Sequence, residues 1–216
     1  MRANDLKVAA ILLAAGLSRR MGEPNKLLIE IGGEPLVRRT ARVYLAAGAD
    51  VLAVLGHEAE QVRAALADLP VSFAVNPHYE EGQQSSVRVG IESLTGGFDA
   101  ILVALADQAA LTPADISDLI GAFARSGANR ILVPYFRGNR GNPVVFPARL
   151  IAEMRAAGRN AACRSFIDNN PQLTERFEAD HDRFIIDIDT PDDLASFRGK
   201  PLPGRMTQKK LEDNAP

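Results

Sequence analysis

Long apolar runs that alternate with helix-spaced segments predict an α/β protein, a mostly parallel sheet with helices on both faces in three α/β/α layers. Two runs carry most of that prediction. Val8 to Ala15 and Ala100 to Ala106 contain no polar residue, as expected of strands buried on both faces and unlike a half-solvated antiparallel strand. Each run stops abruptly, the first at Gly16 and the second at Asp107, so both deliver loop residues to the sheet edge where such folds place ligands.

The chain follows this pattern in order. After the first strand, Leu12 to Leu28 reads LLAAGLSRRMGEPNKLL. Gly16 lets the backbone approach a ligand without an intervening side chain. Arg19, Arg20 and Lys26 outnumber Glu23 by two charges, which suits a nucleoside triphosphate. The spacing matches neither GxxxxGK[ST] nor GxGxxG. Pro35 to Ala47 has helical spacing and ends at Gly48, and Val51 to Leu55 is the second buried strand. Glu58 to Leu69 reads as a helix and Val71 to Val75 as the third strand, broken by Asn76 and Pro77 into a polar loop containing His78. Gly82 to Gly90, GQQSSVRVG, opens a helix reaching Leu94, with Ser85 placed to cap it.

Thr112 and Pro113 begin a helix that runs to about Arg125. Arg130 to Tyr135 is a strand, and FRGNRGNPVVF leads to a short strand at Val144 to Phe146. Pro147 to Ala157 and Ala161 to Asp168 read as helices. Phe184 to Asp189 is the expected last strand, placing Asp187 and Asp189 on one face. Thr190, Pro191 and Asp193 then start a helix, with Asp192 and Asp193 as capping residues. From Gly199 the composition is that of a disordered tail. No internal repeat or linker divides the chain, so one domain spans residues 5–198, followed by a tail at 199–216.

Composition narrows the function class. A net charge of −2 and a pI near 6.0 argue against nucleic acid or an anionic membrane surface as partner. No apolar stretch approaches the ~18 residues of a spanning helix. Cys163 is the only cysteine, so neither an intramolecular disulfide nor a cysteine-based zinc site can form. Val8 to Ala15 leads into loop residues rather than a cleavage site. The expected location is therefore the cytoplasm.

At Leu12 to Leu28 the sequence resembles the MobA-like nucleotidyltransferases, most closely their molybdenum cofactor cytidylyltransferase branch, whose fingerprint is roughly LAAGxSxRMGxxxKLL. The resemblance implies a Rossmann-like, nucleotide-diphospho-sugar transferase-like fold. It also implies a nucleotide site on Leu13, Ala14, Ala15, Gly16, Ser18, Arg20 and Lys26. The family's GxxxSxxxG segment maps onto Gly82, Ser86 and Gly90, and implies base and ribose contacts from Gly82, Ser85 and Ser86. ALADQAALTP resembles its GDQP segment, with Asp107 as magnesium ligand and Ala106 and Ala109 as departures. RGNPVVF resembles the acceptor segment, implying Arg137, Arg140 and Asn142 as acceptor contacts. DIDTPDDL resembles the closing motif, implying Asp189 as a second magnesium ligand. Asn160 stands where many members carry an acid, while Arg164 matches their arginine.

The implied reaction is magnesium-dependent transfer of CMP from CTP to a phosphorylated acceptor such as molybdopterin, with release of pyrophosphate. Arg20, Lys26 and Asp107 are the expected catalytic residues, and a molybdoenzyme would receive the product. Alternatives are a sister nucleotidyltransferase using GTP or a sugar or polyol phosphate, and a non-catalytic nucleotide-binding partner in cofactor insertion.

Overall fold

The computed structural model describes residues 6–18, 25–156 and 163–198. The chain builds β1 (Val8–Ala14), a 3-10 turn at Lys26–Leu28, and a small hairpin of β2 (Glu30–Ile31) and β3 (Glu34–Pro35). It continues through α1 (Leu36–Ala46), β4 (Asp50–Leu55), α2 (Ala59–Ala65), β5 (Val71–Val75), α3 (Gln83–Ser93) and β6 (Ala100–Leu105). The second half contributes α4 (Pro113–Arg125), β7 (Ile131–Phe136), β8 (Asn139–Arg140), β9 (Val144–Pro147), α5 (Ala148–Ala156), α6 (Cys163–Asn169), β10 (Thr174–Glu178) and α7 (Pro191–Arg198).

The main sheet has the order β10-β7-β9-β6-β1-β4-β5, with β8 paired to β7. β9 runs antiparallel to both β6 and β7, and β8 antiparallel to β7, while the other pairings are parallel. Alternation along β1 divides the core between two layers. Ala10, Leu12 and Ala14 pack with residues of α1 and α4 such as Val37, Tyr44 and Phe123. Ala9, Ile11 and Leu13 pack with residues of α3 and α5 such as Ile91 and Leu150. The mostly parallel three-layer architecture is thus the expected one.

The crossovers after β1 lead to β4 and β5 on one side, whereas β6 lies on the other. The sheet therefore has a switch point between the carboxyl ends of β1 and β6, the crevice in which open α/β sheets bind ligands. Gly90 lets α3 approach this part of the sheet: an added Cβ would lie 2.3 Å from Ile11 Cγ2 and 3.1 Å from Val54 Cγ2. Its place in the glycine pattern is explained by packing.

One expected element is different. Phe184 to Asp189 is not a strand; a 3-10 turn covers Asp182–Ile185, and the residues that follow, beginning with an extended Ile186, join no sheet. The edge strand is β10, Thr174–Glu178, which pairs in parallel with β7. Its residues, TERFE, are intermediate or exposed, in keeping with the charged side chains that edge strands carry against further pairing. The apolar residues of the 184–189 segment serve as anchors instead, Phe184 and Ile188 each being 1% exposed. The β2–β3 hairpin was also not expected. The tail from Gly199 and the helix ends at 157 and 161–162 lie outside the described residues. Among those residues no helix is long and apolar enough to cross a membrane.

Candidate active site

The Lys26 ammonium joins the two loop systems at the switch point. Asn25 caps the 3-10 turn by accepting a hydrogen bond from Leu27 N at 3.1 Å, which fixes the residue beside it. Lys26 Nζ then lies 2.5 Å from Asp107 Oδ2 and 2.7 Å from Asp189 Oδ1. The lysine side chain is 13% exposed, Asp107 16% and Asp189 28%, so water screens these contacts only partly. Burial alone would lower the lysine pKa, but the two carboxylates outweigh it and raise it above 10.5.

Asp107 leaves β6 at the carboxyl edge, and its loop is held from several directions. Thr40 Oγ1 donates to Ala106 O at 3.1 Å, Ala106 N donates to Leu13 O at 3.2 Å, and Ala109 N donates to Asp107 O at 3.2 Å. Neither alanine needs a positive φ. The Ala109 amide makes a bond that a proline could not, which explains how the loop keeps its shape despite both departures from the family pattern.

Asp189 is brought in by the extended C-terminal segment. Ile188 N donates to Asp107 O at 3.1 Å, so Asp187 and Asp189 flank the residue bonded to the Asp107 backbone. Ile188 also packs with Ile31, Leu36, Ala109 and Phe197. At the start of α7, Asp193 Oδ2 accepts from Asp189 N at 3.1 Å and Thr190 N at 2.8 Å. Asp193 is thus the cap expected there, while Asp192 lies exposed in the first turn.

These residues border a cavity of about 540 Å³, lined by Leu13, Ala15, Gly16, Ser18, Lys26, Gly82, Ser86, Asp107, Asp187 and Asp189 among others. Among the described residues beyond its chain neighbours, a Cβ on Gly16 would meet no atom within 4 Å. Ser18 adopts a left-handed φ of 52° and ties the loop's ends together, donating to Asn25 Oδ1 and accepting from Lys26 N at 3.3 Å each. Ala14 does not line the cavity: it shares the face of Leu12 and is buried against the α1 layer. Arg20, with Arg19 and Glu23, lies outside the described residues.

Ser85 and Ser86 separate in role, although Ser85 is not the helix cap. Gly82 occupies that position with φ 98°, and the Ser85 hydroxyl bonds back to His78 O and Gly82 O at 2.9 and 2.8 Å. Asn76, 1% exposed, donates to both serine hydroxyls at 2.8 and 3.0 Å. Sequence reasoning took this asparagine only as a strand breaker. Ser86 lines the cavity, whereas the Ser85 hydroxyl is engaged in bracing the loop.

A second cavity of about 650 Å³ shares Gly82, Gln83 and Leu105 with the first and extends to Arg140, Asn142, Cys163 and Arg164. Burial pushes the Cys163 thiol up to about 12, leaving it neutral. Arg137 is not part of this cleft. It occupies the exposed β7–β8 turn with φ 49°, its guanidinium 5.1 Å from the Phe136 ring centroid. Pairing in β8 sets Arg140 opposite Tyr135, whereas Arg137 precedes that pairing and projects from the turn.

The donor set at Lys26 fits a hard divalent cation. Its side chains offer only carboxylate oxygens, and among the described residues Asp107 Oδ1 and Asp187 Oδ1 are buried without hydrogen-bond partners. Magnesium favours such oxygens and completes its shell with water and substrate phosphates. No group of three or more His, Cys, Asp or Glu among the described residues is arranged to hold an ion by itself, so phosphate oxygens would have to supply the remaining ligands.

Asp187, which sequence reasoning left without a role, bears the electrostatic cost. Burial, then Asp107 and Asp189, push its carboxyl from 3.8 up to about 7, while Lys26 and the Gln108 amide pull the other way. Because the folded pKa exceeds the unfolded one, stability is lost as pH rises through this interval. Asp187→Asn should therefore stabilise the metal-free protein by on the order of 1 to 3 kcal/mol near pH 8, a gain that shrinks toward about pH 4. Thermal melts of both proteins across this range check it; a destabilisation, or a gain independent of pH, contradicts it.

Comparison with known proteins identifies the family. Residues 10–176 match the MobA-like NTP transferase domain. A nicotine blue oxidoreductase from Paenarthrobacter nicotinovorans is 29% identical over 199 residues, covering 87% of this chain and 94% of that protein. The bifunctional protein GlmU of Anaeromyxobacter sp. (strain Fw109-5) is 35% identical over 168 residues, 72% of this chain but only 34% of its own length, so this chain matches about a third of it. A probable molybdenum cofactor guanylyltransferase of Natronomonas pharaonis is 32% identical over 126 residues, 57% of this chain and 59% of that protein. The structure of a Mycobacterium tuberculosis H37Rv protein in complex with manganese shares the fold, with a TM-score of 0.71 at 21% identity over 90% of this chain and 100% of that one. The family match takes in most of β1, the glycine loop, Lys26 and Asp107 within one continuous span, and the chain belongs to the MobA-like NTP transferase family.

Proposed function

We propose that this protein is a magnesium-dependent cytidylyltransferase that transfers CMP from CTP to a phosphorylated acceptor such as molybdopterin. The observation that carries the reading is the junction of Lys26, Asp107 and Asp189, which lines the first cavity, with a second cavity adjoining it through Gly82, Gln83 and Leu105. In the proposed reaction an acceptor phosphate oxygen attacks the α-phosphorus, a new P–O bond forms, the α–β bridging bond breaks, and pyrophosphate leaves with the electron pair. No protein nucleophile is required, and catalysis rests on alignment and charge neutralisation.

The glycine loop and Ser86 side would take the nucleotide, and the Arg140, Asn142 and Arg164 side the acceptor phosphate. Lys26, with Arg20 from the sequence resemblance, would offset charge on the departing pyrophosphate. Asp107 and Asp189 would hold magnesium, whose contribution is to screen the phosphates and draw electrons from the α-phosphorus. Ala15 and Ser18 support cytosine, because they follow the LAAGxS form of the cytidylyltransferases and both border the cavity. The named relatives include a guanylyltransferase and an oxidoreductase, so base choice and pyrophosphate release are the points to measure.

With saturating acceptor, kcat/KM for CTP should exceed that for GTP by roughly 10-fold to 200-fold, the range available to a small pocket difference. Equal or better use of GTP contradicts the base assignment, and failure to release pyrophosphate from any nucleoside triphosphate contradicts the reaction class. Asp107→Asn and Asp189→Asn should each keep the fold and reduce kcat by roughly 10²-fold or more. Near-normal turnover of both variants at limiting magnesium would remove the two carboxylates from the mechanism.

A further inference from the structure

We propose that the Arg183–Asp115 pair is a positioning device that fixes the register of the segment carrying Asp187 and Asp189, and so sets these carboxylates against Asp107. This inference rests on the reading of Asp107 and Asp189 as the reaction centre.

Asp115 is 3% exposed and already has a local task. Its Oδ2 accepts from Thr112 N and Thr112 Oγ1 at 2.9 Å each, completing the capping box of α4. A capping box needs nothing more. Yet Arg183 adds a two-pronged contact, Nε to Oδ2 at 2.8 Å and Nη2 to Oδ1 at 2.6 Å, and His181 Nε2 lies 3.1 Å from Oδ1. The fork constrains direction as well as distance. Burial opposes ionisation of Asp115, but Arg183 and Thr112 overcome it and hold the carboxyl below its usual range.

The same turn is clamped immediately downstream. Phe184 stacks on His181 at 5.4 Å and meets Phe177 edge-on at 5.7 Å. Its carbonyl accepts from Asn142 N and Gln108 Nε2 at 2.9 Å each. Beyond it the chain pairs with no strand, and Asp187 follows Arg183 by only four residues, with Arg183 inside the 3-10 turn and Asp187 just past its end. Along extended backbone a shift of one residue exchanges the two faces. Here it would replace Asp187 and Asp189 with Ile186 and Ile188. A ladder would ordinarily prevent such a slip; in its place stand the Asp115 fork and the Phe184 clamp upstream, and the Ile188 N to Asp107 O bond and the Asp193 cap downstream. Buried ion pairs are weak evidence for stability, and specifying register is among their better-attested uses.

The test uses the full chain with Arg183→Gln and Arg183→Lys, following pyrophosphate release against magnesium concentration and, separately, manganese binding in the presence of CTP by loss of the free-ion resonance signal. Arg183→Gln should lower kcat and raise the metal concentration for half-maximal rate by roughly 10-fold to 100-fold each, as loss of a partner behind metal ligands does, with KM for CTP within about threefold. Arg183→Lys keeps the charge but loses the fork, and should recover part of both. A folded Arg183→Gln with wild-type metal dependence overturns the proposal. If that variant fails to fold, a cooperatively melting Arg183→Lys with an unchanged metal requirement overturns it equally. If the wild-type protein releases no pyrophosphate, the functional reading falls, while weaker manganese binding by the variants still upholds the positioning role and unchanged binding refutes it.

Discussion

A single ammonium between two carboxylates draws three distant parts of the chain to one edge of the sheet. Lys26 follows β1, Asp107 follows β6, and Asp189 lies on the last extended segment, 81 and 163 residues from the lysine. With Asp187 also present, these carboxylates would repel one another across a partly dry cavity, and repulsion of this kind is relieved by a cation or by protonation. Both remedies operate here: Lys26 supplies the cation, and Asp187 is pushed toward its neutral form. The surrounding architecture keeps that arrangement from relaxing, because Thr40 holds Ala106 beside Asp107, Ile188 bonds the Asp107 backbone itself and the Asp193 cap holds that of Asp189.

The glycine loop and the Lys26 junction line one cavity, and Arg140 and Arg164 the other, with Gly82, Gln83 and Leu105 common to both. Under the proposed reaction, these are the charges that two anionic reactants would meet, and the transfer needs no covalent enzyme intermediate.

The central strands were legible because burial on both faces leaves an unbroken apolar run. β10 was not, because an edge strand with the composition TERFE carries no such mark, and the apolar 184–189 segment imitated a strand while serving as an anchor. The same contrast holds at the site. Lys26, Asp107 and Asp189 sit beside strand or helix-start signals that sequence reveals, and the structure brings all three together. Asn25, Asn76, Asp115 and Asp187 owe their importance to partners supplied by folding. Arg137 and Arg140 look alike in the sequence, and only the short β7–β8 pairing separates the turn residue from the one in the cleft.

The most direct test of this account is the thermal stability of Lys26→Met in metal-free buffer and with manganese. Removing the lysine leaves the carboxylates without their resident cation, so the variant should melt roughly 5 to 10 °C below the wild-type protein. Added manganese should recover much of that loss, since an ion on the same oxygens meets the same electrostatic need. A melting temperature unchanged by the substitution, or a loss that manganese does not reduce, would contradict the claim that this edge of the sheet is built around a cation.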